Sequence, residues 1–176
     1  MHVFLQGPRN IGKSTVIRKT LDILSAPGPV RLGGFFTWNG GDDDPHIYIA
    51  AAESADGSGE DNNRKYRLAS FDPERGGLKC DTQIFETIGV ELLTDGNADA
   101  DLLIMDELGF LENSAPKFRR AVLDAIAGSI PVLGVLRLGD IKWHAEIKRD
   151  PSVALYDVNT ENRDALPQVL AEAFNL

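Results

Sequence analysis

The run Val3-Phe4-Leu5 is continuously apolar, and after Gly7-Pro8 the apolar positions thin to Ile17, Leu21 and Leu24, the spacing of one helix face. This pattern predicts a strand, a turn and a helix. Pro27-Gly28-Pro29 ends the helix, because proline cannot extend the hydrogen-bond ladder. From Val30 to Phe71 the chain turns β-branched, aromatic and Gly-rich. Phe35-Phe36-Thr37-Trp38, Ile47-Tyr48-Ile49 and Tyr66-Arg67-Leu68 predict short antiparallel strands divided by the polar clusters 40–45 and 56–63. Asp42-Asp43-Asp44 lacks the ligand spacing and closing Glu of a calcium loop and reads as the solvated tip of a hairpin.

Beyond Gly77 the alternation becomes regular. A helix is predicted with Ile84, Phe85, Ile88 and Leu92 on one face, then a strand Leu102 to Met105, then a helix carrying Phe118, Val122 and Ile126. A strand from Val132 to Leu136, a helix from Ile141 to Arg149, a strand from Val153 to Val158 and a last helix with Leu166, Val169, Leu170 and Ala173 follow. Near-continuously apolar strands between amphipathic helices imply an α/β fold. Its sheet is mainly parallel and flanked by helices on both faces, with an antiparallel hairpin insertion at about residues 30–75.

Composition narrows the function classes. At 176 residues with 43% apolar and 26% charged positions, the chain suits a single domain, 1–176, whose core needs no metal or disulfide staple. The lone Cys80 cannot form an intrachain bridge and agrees with a reducing compartment. A net charge of −9 repels a phosphate backbone, so general nucleic-acid binding is not expected. Ile130 to Leu138 carries Pro131, Gly134 and Arg137 and falls short of the ~20 residues of a membrane span. Met1 to Gln6 shows no basic leader or cleavage site, and the expectation is a cytoplasmic protein.

Candidate chemistry begins where the first strand turns into the first helix. Gly7-Pro8-Arg9-Asn10-Ile11-Gly12-Lys13-Ser14 fits G-x-x-x-x-G-K-[ST], a loop whose backbone N–H groups cradle phosphate oxygens. The lysine then reaches the outer phosphates and the serine hydroxyl ligates Mg²⁺. Gly7 through Thr15 are thus the candidate polyphosphate contacts, with Lys13 catalytic and Ser14 a metal ligand. The competing reading is an ordinary strand-to-helix turn with packing glycines.

A second element is the strand Leu102 to Met105, which delivers Asp106-Glu107 at the C-terminal edge where ligands collect in open parallel sheets. Asp106 is the candidate Mg²⁺ ligand, and Glu107 the group that orients or deprotonates the attacking water. Two acids marking a turn at the sheet edge is the alternative. Charge developing on a transferred phosphoryl group calls for a further cation. Arg137, at the end of its strand, is the first candidate and could equally be a solvated arginine; Arg9 is the second. His2, His46 and His144 are scattered and form no metal-ligand pattern.

With both motifs placed, the chain resembles the cancer-related nucleoside-triphosphatase family nearly end to end. The likeness rests on His2-Val3-Phe4-Leu5 before the phosphate loop, Gly34-Phe35-Phe36-Thr37, Asp106-Glu107-Leu108-Gly109 with Glu112 after it, and Asn159-Thr160-Glu161-Asn162-Arg163. It differs at Arg9-Asn10, at Trp38-Asn39 and at Phe110, where relatives often carry a glycine, an acid and a base. The resemblance implies a P-loop NTPase fold and Mg²⁺-dependent hydrolysis of ATP, GTP and other nucleoside triphosphates with loose base choice. By analogy with such folds, Asn159, Asn162 and Arg163 sit beside the base, although Thr160 and Asn162 also suit a helix cap. Two other functions stay open. A small-molecule or nucleotide kinase would close a lid bearing Arg64, Lys65 and Arg67, or one from the basic stretch Arg137 through Arg149, and a nucleotide-operated binding module would use Gly40 to Lys65 against an unknown protein partner.

Overall fold

β1 (His2–Gln6) is buried along nearly its whole length, which is why its sequence is apolar rather than alternating. It is hydrogen-bonded in parallel to β7 (Val132–Leu136) on one side and β8 (Val153–Asp157) on the other. The computed structural model describes residues 1–41, 43–52, 65–72, 76–94 and 99–174. β2 (Leu32–Asn39) and β6 (Leu102–Leu108) extend the parallel set, and β3 (His46–Ala51), β4 (Tyr66–Asp72) and β5 (Gly77–Cys80) add antiparallel strands outward from β2. The order is β5-β4-β3-β2-β6-β7-β1-β8. A mainly parallel sheet with an antiparallel extension is observed as expected. However, β2, predicted as one of the antiparallel insertion strands, pairs in parallel with β6 and only its other edge is antiparallel, to β3, so the extension begins at β3. β5 is the addition: Gly77, Leu78 and Lys79 are exposed and carry no apolar alternation, so only pairing with β4 makes them a strand.

Two apolar layers sandwich the sheet. On one face α1 (Lys13–Leu24) and α6 (Leu166–Phe174) bury Val16, Ile17, Leu166 and Leu170 against Val3, Leu5, Ile104 and Val135. On the other, α4 (Pro116–Ile126) and α5 (His144–Arg149) bury Phe118, Val122 and Ile147 against Phe4, Met105 and Leu136. Each such side chain stabilises the fold by roughly 1.5–3 kcal/mol. Among the described residues no helix is long and apolar enough to cross a membrane.

Three predicted elements are redrawn. The helix near Ile84 is α2 (Thr82–Ile84), a π-turn over Phe85–Gly89 and α3 (Val90–Thr94). Its buried positions are Phe85, Gly89 and Leu93, with Ile84, Ile88 and Leu92 only partly covered. The Phe85 and Phe118 rings pack with centroids 4.9 Å apart, and a Cβ at position 89 would stand 2.7 Å from the Phe118 ring. The segment from Ile141 starts as successive i→i−3 turns, and α5 proper begins at His144. β6 does not stop at Met105 but runs to Leu108, pairing Asp106 with Phe36 and Leu108 with Leu136 across a register shift. Asp106 is thus held by a strand pair, while Glu107 falls within the register shift before the last pair.

Asp43 and Asp44 lie in the β2–β3 hairpin loop as expected, and Asp44 is bonded rather than free in solvent. Asp44 accepts hydrogen bonds from the His46 and Tyr48 side chains, which hold its carboxyl below the usual carboxylate range. Asp43 is exposed, and Asp42 lies outside the described residues.

Candidate functional site

Between β1 and α1 the backbone makes a bend that few side chains tolerate. Asn10 has φ 62° and Gly12 φ 107°, left-handed conformations that favour asparagine and glycine. A Cβ on Gly7 would lie 2.6 Å from the Val158 carbonyl oxygen, so glycine alone lets the end of β8 approach this closely. Lys13 is only 8% exposed, and its ammonium donates to the carbonyls of Gly7 (3.1 Å) and Pro8 (2.9 Å), closing the loop from within. Helix α1 starts with no side-chain cap and no acid in its first turn. Its N-terminal N–H groups and dipole remain available to an anion. Pro8, Arg9, Asn10 and Thr15 are exposed, while Ile11, Gly12 and Ser14 are partly covered.

Asp106 lies in the same cleft. Its carboxyl is 2% exposed, and burial pushes it up to about 6, with Glu107 adding to the rise. A hydrogen-bonding Ser14 side chain and the positive charges of Arg18 and Lys13 act in the opposite direction. Lys13, Ser14 and Asp106, separated by up to 93 residues of sequence, therefore share one electrostatic environment. A buried carboxylate beside a hydroxyl is an all-oxygen donor set, the kind that a hard divalent cation such as Mg²⁺ takes.

Glu107 has different neighbours. Its N–H donates to Thr37 Oγ1 (3.1 Å), and its carboxylate accepts from Arg137 Nη1 at 3.4 Å. Both side chains of that pair remain about a third exposed, so the contact is long and weakly held. The Arg137 guanidinium also stands 4.8 Å from the centre of the Phe110 ring. Beneath it, Glu112 is 2% exposed, accepts the Gly109 N–H at 2.9 Å, and is pushed by burial up to about 7. Trp143 Nε1 donates to the Gly109 carbonyl at 3.2 Å.

Sequence reasoning places Arg137 correctly beside the acidic pair but misses three of its supports. Thr37 and Glu112 appear there within matching stretches, but not as supports of this turn. Trp143 carries no local signal, since its partner is 34 residues away.

The segment after β8 is tightly self-bonded. Asn162 Oδ1 accepts the Asn159 N–H, its Nδ2 donates to the Asp157 carbonyl, and Asn159 Oδ1 accepts the N–H groups of Glu161 and Asn162. Arg163 lies along the phosphate loop, with Nη1 3.5 Å from the Ile11 carbonyl and Cδ 4.0 Å from where a Cβ on Gly12 would stand. Of the lid candidates, Arg137 lies at the site, while Lys65 and Arg67 are not brought to it. Lys65 stands 4.4 Å over the Tyr48 ring, and Arg67 is on β4, three strand spacings or about 14 Å across the sheet from β6. Arg64 and most of the 40–65 stretch lie outside the described residues. His2 and His144 are buried, and among the described residues no group of three His, Cys, Asp or Glu is placed to hold a metal ion.

Residues 2–171 match the model of a family described as NTPase. The chain is 28% identical to the nucleoside-triphosphatase THEP1 of Thermofilum pendens over 95% of its own length and 91% of that protein. It is 25% identical to the cancer-related nucleoside-triphosphatase homolog of Mus musculus, covering 97% and 95% of the two chains. Its fold is that of the THEP1 crystal structure from Aquifex aeolicus, with a TM-score of 0.79 at 22% identity and complete coverage of both chains. The solution structure of a human cancer-related nucleoside triphosphatase superposes with a TM-score of 0.75 at 23% identity, over 98% and 96% of the two chains.

Proposed function

This chain belongs to the NTPase family and is a nucleoside triphosphatase, and we propose that it hydrolyses ATP, GTP and other triphosphates with the work divided between two sides of the β6 end. The observation that carries this reading is the buried Lys13 ammonium, tethered to its own loop and felt electrostatically by Asp106.

The backbone from Gly7 to Thr15 binds the triphosphate tail, and Lys13 exchanges its carbonyl partners for phosphate oxygens. Ser14 and Asp106 would hold Mg²⁺. When bound, the ion neutralises charge on the outer phosphate oxygens. Glu107 orients a water molecule toward the γ-phosphorus and takes its proton. The new P–O bond forms as the bond to the β-phosphate oxygen breaks, leaving a nucleoside diphosphate and inorganic phosphate. Arg137 leaves its weak pairing with Glu107 and turns toward the γ-phosphoryl oxygens, where negative charge develops.

Broad base choice is part of the proposal. The side-chain amide of Asn162 and the Asn159 carbonyl oxygen are already spent on main-chain partners, which leaves the Arg163 stem and guanidinium as a surface any base can stack against. A cytoplasmic location fits the lone Cys80, whose thiol burial pushes up to about 11 and so makes unreactive. Phosphate release measured across the four ribonucleoside triphosphates, with and without Mg²⁺, tests the reading. Comparable Mg²⁺-dependent rates on all four are expected; release that appears only when a phosphoryl acceptor is added overturns it.

A further inference from the structure

The turn after β6 is held by more buried polar contacts than a surface turn requires. The Gly109 N–H goes to Glu112 Oε2 at 2.9 Å and its carbonyl receives Trp143 Nε1 at 3.2 Å, while the Leu108 carbonyl accepts the Arg137 N–H at 2.9 Å. Glu112 and Trp143 are 2% and 5% exposed. Burying a carboxyl group is costly unless partners are gained, and the partners gained are two backbone N–H groups, its own and that of Gly109, which water could have satisfied had the turn opened outward.

What this turn supports is the Arg137 side chain. A Cβ on Gly109 would stand 3.3 Å from Arg137 Cδ and 3.6 Å from its Cβ, so the arginine stem lies directly on the glycine. Its guanidinium stands over the ring of Phe110, the next residue. The arginine thus rests on two consecutive residues whose backbone pose is set by Glu112, and it reaches Glu107 from there.

We propose that Glu112 is a positioning residue for the hydrolytic reaction: by holding the Gly109 N–H from inside the fold, it sets the Gly109–Phe110 surface on which Arg137 is aimed at the Glu107 side of the cleft. The proposal rests on the hydrolytic reading above. It assigns Glu112 no contact with substrate and no proton transfer. What it needs from the side chain is an acceptor oxygen at one place, which a glutamine also carries.

The experiment compares Glu112→Ala, Glu112→Gln, Arg137→Ala and the Glu112→Ala/Arg137→Ala double variant. Phosphate release gives kcat and KM, and the Gly109 amide resonance is followed in nucleotide-free protein by ¹⁵N-edited NMR. Glu112→Ala is expected to lower kcat by about ten- to a hundredfold, the cost of a misplaced group, with KM within about twofold because the phosphate loop is untouched. Glu112→Gln is expected to restore kcat to within about threefold and to keep the Gly109 amide shift that Glu112→Ala loses. The double variant should be no slower than Arg137→Ala alone, since residues acting through one another are not additive.

A Glu112→Ala chain with wild-type kcat, a Glu112→Gln chain as slow as the alanine, or losses that multiply in the double variant would each overturn the positioning role while wild-type turnover keeps the hydrolytic reading intact. Absence of turnover in the wild-type chain overturns the hydrolytic reading and the positioning role with it. An unmoved Gly109 amide in Glu112→Ala removes the contact itself, independently of any nucleotide.

Discussion

Asp106 and Glu107 are neighbours in sequence, yet they serve two regions built in opposite ways. Asp106 faces the phosphate loop, whose lysine is buried and bonded at 2.9 and 3.1 Å to carbonyls of the same eight-residue stretch. Glu107 faces a turn assembled from the ends of β2, β6 and β7, where its partner is an arginine about a third exposed, at 3.4 Å. The first region is a loop closed from within, which the proposed function uses as an anion nest. The second is a charge pair weak enough to be exchanged. A site that must grip a polyphosphate before reacting, and then respond to charge that develops only during reaction, gains from a rigid half and a movable half.

Variants can break this comparison at known sizes. The largest effect is expected from Glu107→Gln, which should slow phosphate release by about 10² to 10⁴ if the carboxylate is the base, with triphosphate affinity nearly unchanged by titration calorimetry. Wild-type turnover in that variant would erase the distinction between the two halves. Arg137→Ala comes next, with a fall of about 10² to 10³ in kcat, the typical loss of a preorganised charge-stabilising donor; a change confined to KM would move the arginine to the gripping half.

Lys13→Ala should show the opposite signature. Triphosphate binding weakens by at least the ~1.5–3 kcal/mol of a charged hydrogen bond, and unchanged affinity in a direct binding measurement would remove the phosphate-loop assignment.

The smallest effect at any one pH sharpens the comparison through stability alone. Glu112 is raised to about 7 in the fold from an ordinary value of 4.5, so the folded state holds its proton more tightly than the unfolded chain does. Its contribution is complete below about 4.5 and is lost as pH rises through 7. Relative to Glu112→Gln, the wild-type chain should lose stability over that window by no more than about 1.4 kcal/mol per pH unit. His144, lowered by burial to about 4, runs the other way, its contribution falling as pH drops from 6.5 through 4. Urea denaturation of both chains across pH 4–8 cancels the histidine and isolates the carboxyl. A difference that does not vary with pH would mean that Glu112 is already charged in the fold.

How much was legible follows the same division. Gly7 to Ser14 could be read because an anion nest is a local object whose glycines, lysine and helix start are consecutive. Arg137 and Asp106 could be placed at one sheet edge because parallel strands bring their C-terminal ends together. Thr37, Glu112 and Trp143 could not be assigned roles, since each acts on a backbone group whose exposure depends on packing. Glu112 in particular is visible in the sequence as part of a matching stretch, but its bond to Gly109 is not, because that depends on the Gly109 N–H pointing inward. At the π-turn Phe85–Gly89 the sequence picks Ile84, Phe85, Ile88 and Leu92 as one face; the fold buries Phe85 against Phe118 as expected, but adds Gly89 and Leu93 and leaves Ile84, Ile88 and Leu92 only partly covered.

By itself the amino-acid order determined the alternation of strands and helices, the mainly parallel sheet with its antiparallel extension, and the glycine-bent loop between β1 and α1. All of these arise from periodicity and from backbone geometry that particular residues require over short stretches. Only the tertiary structure decided that β6 continues through both acids, that β5 exists, and that Glu107 meets Arg137 above a glycine clamped by Glu112 and Trp143. Those features depend on which buried polar groups find one another across the sheet, and such partners lie tens of residues apart where no local pattern reaches.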